Sequence, residues 1–162
     1  MVADPNSLGG WERILFAAIG VVVGFLLNEI KGVWIRNRKH RAYWAALQTE
    51  VEYARGRAQM YIDDKIMAPL YRLPTLAYNT CYPELLADGT VSEAEATALM
   101  AFFAEVDTFN RGLDRVGDAT EDDKVKMEYS RNLLKAQQLV ADGALYKAVA
   151  SSLKSHRSHS VI

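Results

Sequence analysis

Three histidines, one cysteine and two adjacent acidic pairs are the residues whose types could do chemistry, and their spacing offers little of it. His156-x-x-His159 has a spacing that two metal ligands can use, but no third ligand accompanies it, and a closed zinc site needs four. His40 stands between Lys39 and Arg41, where solvation is expected. Cys81 sits in Asn79-Thr80-Cys81-Tyr82-Pro83 with no neighbouring histidine to generate a thiolate. A lone thiol of this kind reads as a small buried hydrophobe, and one cysteine excludes an intramolecular disulfide. Asp63-Asp64 and Asp122-Asp123 are consecutive residues, which point apart on a helix, so neither forms a carboxylate dyad. The acidic run from Asp114 to Asp123 lacks the register of a calcium loop. There is no nucleophile elbow and no glycine-rich phosphate loop. The expectation is a protein without catalytic residues, cofactor or metal.

The segment that could hold a ligand or a partner is the connection from Ala68 to Pro83. Tyr71, Arg72, Tyr78, Asn79 and Tyr82 are gathered there between prolines, and tyrosine and arginine are typical interface anchors. These five residues are the candidate partner or pocket surface. The plainer reading is that the connection folds back and closes a core. Asn110 falls on an otherwise apolar helix face, where a buried Asn fixes register. The C-terminal Ser160-Val161-Ile162 has the form of a peptide that a PDZ-type groove captures.

Charge constrains the partners. The net charge is −1, which argues against a general nucleic-acid binder. That near-neutral total hides segregation: residues 31–72 carry +5, residues 73–123 carry −9 and residues 124–162 carry +5. Complementary helix faces are the plain explanation. A basic surface near anionic lipid is the sharper one.

The elements that position these residues begin with an apolar run. Ile14 to Leu27 contains no charge, but its 14 residues span only ~21 Å against a hydrocarbon core of ~30 Å. The flanks supply the rest. Trp11 and Trp34 lie ~35 Å apart on a helix, matching the two aromatic belts of a bilayer. The run is apolar on all sides, unlike an interfacial helix. It lacks the basic start and cleavage site of a signal peptide. A transmembrane helix over 11–35 is expected, with a short segment 1–10 before it; a buried core helix is the rival reading. Arg13 is the basic residue before the apolar run, whereas Lys31, Arg36, Arg38, Lys39 and Arg41 follow that run. The positive-inside rule then places the N-terminus outside and the C-terminal domain in the cytoplasm of a single-pass cell-membrane protein. Gly20, Gly24, Asn28 and Gly32 recur every fourth residue, a small-residue stripe that lets two helices approach closely, so a helix–helix interface between copies is expected there.

Beyond the span, helix-favouring residues continue. Leu47, Val51, Ala54, Ala58, Tyr61 and Lys65 repeat at four-three spacing, the pattern of a seam toward a partner helix. Pro69 and Pro74 end this helix. A short helix over 75–87 follows, capped by Thr75. Ser92 and Glu95 form a capping box that opens a helix to about Val116, with Leu99, Phe103, Val106, Asn110 and Leu113 on one face. Thr120 caps a further helix with Val125, Tyr129, Leu133, Ala136 and Val140 facing inward. Ala144 to Leu153 forms a last short helix, and residues 154–162 read as a disordered tail.

The fold class that follows is all-α: one transmembrane helix continuing into a small cytoplasmic bundle of three to four helices over 36–153. The expected function is that of a membrane-anchored interaction or scaffold protein, self-associating, without enzymatic chemistry of its own and suited to an accessory role in a larger membrane complex. Its partners would be the lipid bilayer, itself as a homo-oligomer, and an unidentified membrane or cytoplasmic protein. A membrane-active effector that perturbs or permeates the bilayer is the alternative.

Overall fold

A computed structural model of the chain describes residues 10–64, 71–119 and 121–157. Among them the elements are six helices and no strand: α1 (Gly10–Asp64), α2 (Leu76–Ala87), α3 (Glu93–Asp118), α4 (Asp122–Leu139), α5 (Ala144–Ser152) and α6 (Lys154–Arg157). They fall into two units, 1–39 and 40–162.

The first unit carries the apolar run. Every described side chain from Ile14 to Lys39 is exposed, including Phe16 at 67% and Val21 at 73%. The chain therefore does not use this stretch as a buried core helix. It is long and apolar enough to cross a membrane. The side chain of Trp11 lies outside the described residues.

In the second unit the α1 residues obey the seam. Leu47, Val51, Ala54, Ala58 and Tyr61 are all buried, and Trp44 extends the row one turn earlier. Ile62 is half-buried, and Lys65 lies outside the described residues. These side chains join one core with Phe102, Phe103, Val106, Phe109 and Leu113 of α3, with Ala136 and Leu139 of α4, and with Val149 of α5. α3 packs against both α4 and α5. Burial of this kind contributes about 1.5–3 kcal/mol for each large apolar side chain.

The ends of the helices show where local and tertiary forces divide. α3 begins with the expected capping box: the Ser92 hydroxyl accepts from Glu95 N, and the Glu95 carboxylate accepts from Ser92 N. α2 begins differently. Thr75 occupies the N-cap position without making a side-chain cap. Glu50 of α1 reaches across instead, and its two carboxylate oxygens accept from Ala77 N at 2.9 Å and Tyr78 N at 2.8 Å. A carboxylate suits the positive end of a helix better than a hydroxyl does, and burial strengthens the contact. Thr75 Oγ1 accepts from Asn79 Nδ2. α2 ends at Ala87 with Asp88 as its C-cap, and Gly89 just beyond takes a left-handed φ of 65° that favours glycine.

α4 departs from the expected face. Its N-cap is Glu121, and Thr120 lies outside the described residues. Asn132, Ala136, Leu139 and Val140 are buried, whereas Val125, Tyr129 and Leu133 are only half-buried. The physical reason is Gly112 of α3. A Cβ there would stand 1.8 Å from Asn132 Oδ1, so the missing side chain of Gly112 is the space that Asn132 fills. The close approach turns α4 to bring a polar residue inward.

The chain after 153 opens with structure rather than without it: Lys154–Arg157 form α6. Sequence periodicity misses so short a helix, which is held by side-chain contacts described below. Residues 158–162, with His159 and the terminal Ser-Val-Ile, lie outside the described residues.

Candidate functional site

The stripe of the first unit consists of open backbone. A Cβ built on Gly20, Gly24 or Gly32 meets nothing within 4 Å, so the chain itself does not require glycine there for packing. Asn28 is exposed in the same row.

The connection before α2 is built on three anchors. Asn110 of α3 fixes its first part: the Asn110 side chain accepts from Leu73 N at 2.8 Å and donates to Leu73 O at 3.0 Å. The side chain thus mimics a strand partner for one residue and holds buried Leu73 against the core. Glu50 fixes the second part through the α2 cap. The third anchor is aromatic. Tyr78 stacks on Tyr82 at 4.9 Å and on Phe103 at 4.2 Å.

The five candidate residues are therefore divided. Tyr78 and Tyr82 lie in the stack, and burial raises both phenols above their ordinary range, with Tyr78 adding to the effect at Tyr82. Tyr71 sits half-buried beneath the Arg57 guanidinium, and its hydroxyl donates to Met60 Sδ. Arg72 is exposed and paired with Asp114 of α3, and its carbonyl accepts from Arg57. Asn79 is exposed. The arrangement closes the core.

An open groove of about 490 Å³ lies beside this connection, between α1 and the start of α2. Ala46, Thr49, Tyr53, Pro74, Ala77 and Thr80 line it, and none of the five candidate residues does. Its walls are almost wholly apolar, and Glu50 at its edge is already committed to the α2 cap. Cys81 is buried at the same place.

Compared with known proteins, the chain matches no family model, and no curated protein or solved structure is significantly similar to it.

Two histidine pairs escaped the sequence reading. His40 is not simply solvated: its side chain is 14% exposed and its Nε2 lies 2.7 Å from Asp88 Oδ2, at the end of α2. His156 is not in a free tail. Its ring stacks on Trp44 at 3.9 Å and 8°, and its Nε2 donates to Glu95 Oε1 at 2.7 Å. Gln48 adds a hydrogen bond to the Leu153 carbonyl. Burial pushes the Glu95 carboxyl up, but hydrogen bonds from Ser92 and from His156 outweigh it and hold that group below the usual carboxylate range. One signal was present in the sequence: His40 and Trp44 are one helical turn apart, marking a face of α1 already turned inward.

A last polar group lies inside the core. The Tyr61 hydroxyl faces the Asn132 amide without forming a hydrogen bond of good geometry, and the hydroxyl and both amide atoms stay unpartnered among the described residues. Burial, with Tyr129 beside it, pushes the Tyr61 phenol up to about 12. Among the described residues no three His, Cys, Asp or Glu side chains are placed to hold a metal ion.

Proposed function

We propose that the protein is a single-pass, membrane-anchored interaction protein. Residues 11–35 span the bilayer, and a small helical bundle beyond them presents its surface in the cytoplasm to a protein partner. The observation that carries the reading is the exposure of the whole apolar stretch from Ile14 to Ile35. Twenty-two helical residues of this kind measure ~33 Å, the thickness of a hydrocarbon core. Apolar side chains on every face of a helix find no complementary surface on one neighbouring helix, whereas lipid tails surround all faces equally. The cations after Ile35 support a cytoplasmic C-terminal side. The open backbone at Gly20, Gly24 and Gly32, with Asn28 in the same row, supports self-association within the bilayer.

Two measurements test this. The chain should stay in the membrane pellet through alkaline carbonate extraction, and protease added to sealed right-side-out vesicles should spare residues 40–162. Release by carbonate overturns the span, and digestion of the intact domain overturns the orientation. Cross-linking in membranes should trap dimers that Gly24→Ile removes, a loss of at least ~10-fold in dimer yield. Dimers that survive the substitution overturn the stripe as the interface.

A further inference from the structure

Cations gather at the C-terminal end of the apolar stretch of α1. From Ile14 to Lys39 the one acidic residue is Glu29, and Lys31, Arg36, Arg38 and Lys39 come after it. Lys31, Arg36 and Arg38 are exposed and have no carboxylate partner among the described residues. The contrast with the second unit is informative. There, several exposed arginines are matched by acids of the same chain, as in Arg72 with Asp114, Arg111 with Asp107 and Arg131 with Glu128. Arg38 is held differently, with its guanidinium 5.6 Å above the Trp34 ring. A tryptophan carrying an arginine suits a zone that is apolar on one side and polar on the other.

Their depth is specific. Arg36 and Lys39 lie ~1.5 and ~6 Å beyond Ile35 along the helix. The headgroup layer on each side of a bilayer is ~5–8 Å thick. Lys31 lies ~6 Å before Ile35, within the reach of a snorkelling stem. At about 100° per residue the four cations cover an arc of ~160°, a collar rather than a single stripe.

We infer that this collar of Lys31, Arg36 and Arg38, closed by Lys39, binds the phosphodiester headgroups of anionic glycerophospholipids. The inference rests on the membrane-anchor reading above. It adds a lipid class: the protein gathers anionic lipid around its own span. Guanidinium forks suit phosphate oxygens, and the negative surface of a leaflet attracts cations placed at this depth.

The test uses the full chain reconstituted into phosphatidylcholine vesicles. Flotation with those vesicles comes first, because a chain that does not float overturns the anchor and the collar together. Spin-labelled phosphatidylglycerol and phosphatidylcholine then report, by electron paramagnetic resonance, which lipid is motionally restricted at the protein. The wild type should prefer phosphatidylglycerol by at least ~3-fold at low salt, falling toward unity near ~0.5 M salt. Lys31→Gln with Arg36→Gln and Arg38→Gln should bring the ratio below ~1.5. Lys124→Gln with Lys126→Gln, both exposed in the second unit, should leave it unchanged. Equal ranking of the two lipids in a chain that floats overturns the collar alone. So does a preference that survives the triple substitution.

Discussion

The two halves of α1 use the same helix in opposite ways. From Ile14 to Ile35 large apolar side chains point in every direction and none is buried. From Trp44 to Tyr61 one row, Trp44, Leu47, Val51, Ala54, Ala58 and Tyr61, recurs at four-three spacing and is at most 5% exposed, while Tyr53 and Met60 stay outside it. Both stretches lie in one continuous helix, and the difference is in the period of the apolar residues. A single apolar row can be covered by one neighbouring layer, as α3 and α4 cover it here. An apolar cylinder needs a surrounding apolar medium. Apolar side chains on all faces, added to high hydropathy, distinguish a membrane candidate from a helix with one buried row.

The strongest way to break this comparison is to truncate one large side chain in each region. Phe109→Ala should lower the stability of the 40–162 unit by about 3–5 kcal/mol, because Phe109 is fully buried and packs edge-on against Tyr61. Phe25→Ala in the exposed region should leave that unfolding transition where it was. Urea titrations in mild detergent, followed by circular dichroism, read both. Equal effects would mean that the first region packs against the second.

Glu50→Ala comes next. It leaves Ala77 N and Tyr78 N without their charged acceptor, and hydrogen bonds to charged groups contribute about 1.5–3 kcal/mol. The same titration should show a loss in that range. Thr75→Ala, at the position that sequence rules favour as the cap, should cost less than about 0.5 kcal/mol, since its side chain caps nothing. If the two results are reversed, α2 is capped locally after all.

The smallest effect concerns pH. Glu95 has a folded-state carboxyl held below its ordinary range, so its contribution is complete above the unfolded value of about 4.3 and is lost as pH falls through the lower folded value. Urea midpoints measured from pH 6 down to 3 should fall more steeply for the wild type than for Glu95→Gln. Parallel curves would show that the Ser92 and His156 contacts do not favour the ionised form. His156→Ala should flatten the curve in part, since it removes one of the two partners and the stack on Trp44.

Much of the helical layout was legible in the residues. The α1 seam and the Ser92–Glu95 box are local patterns, and Leu99, Val106 and Leu113 of α3 follow one period. The candidate surface was less so. Proximity in sequence grouped Tyr71, Arg72, Tyr78, Asn79 and Tyr82, but the stacking partner of Tyr78 is Phe103 and the ion-pair partner of Arg72 is Asp114. Those contacts join residues far apart in the chain, and no local rule supplies them.

The sequence by itself determined where the longer helices run, that residues 14–27 carry no polar face, and that cations follow that run. These depend on period and composition, which act over one or two turns. The tertiary structure decided how helices end and which faces turn inward. Glu50 displaced Thr75 as the cap, Gly112 drew Asn132 into the core, and Trp44 with Glu95 gave order to the chain around His156. Each depends on a partner more than 15 residues away, brought close only when the apolar seam of α1 is covered.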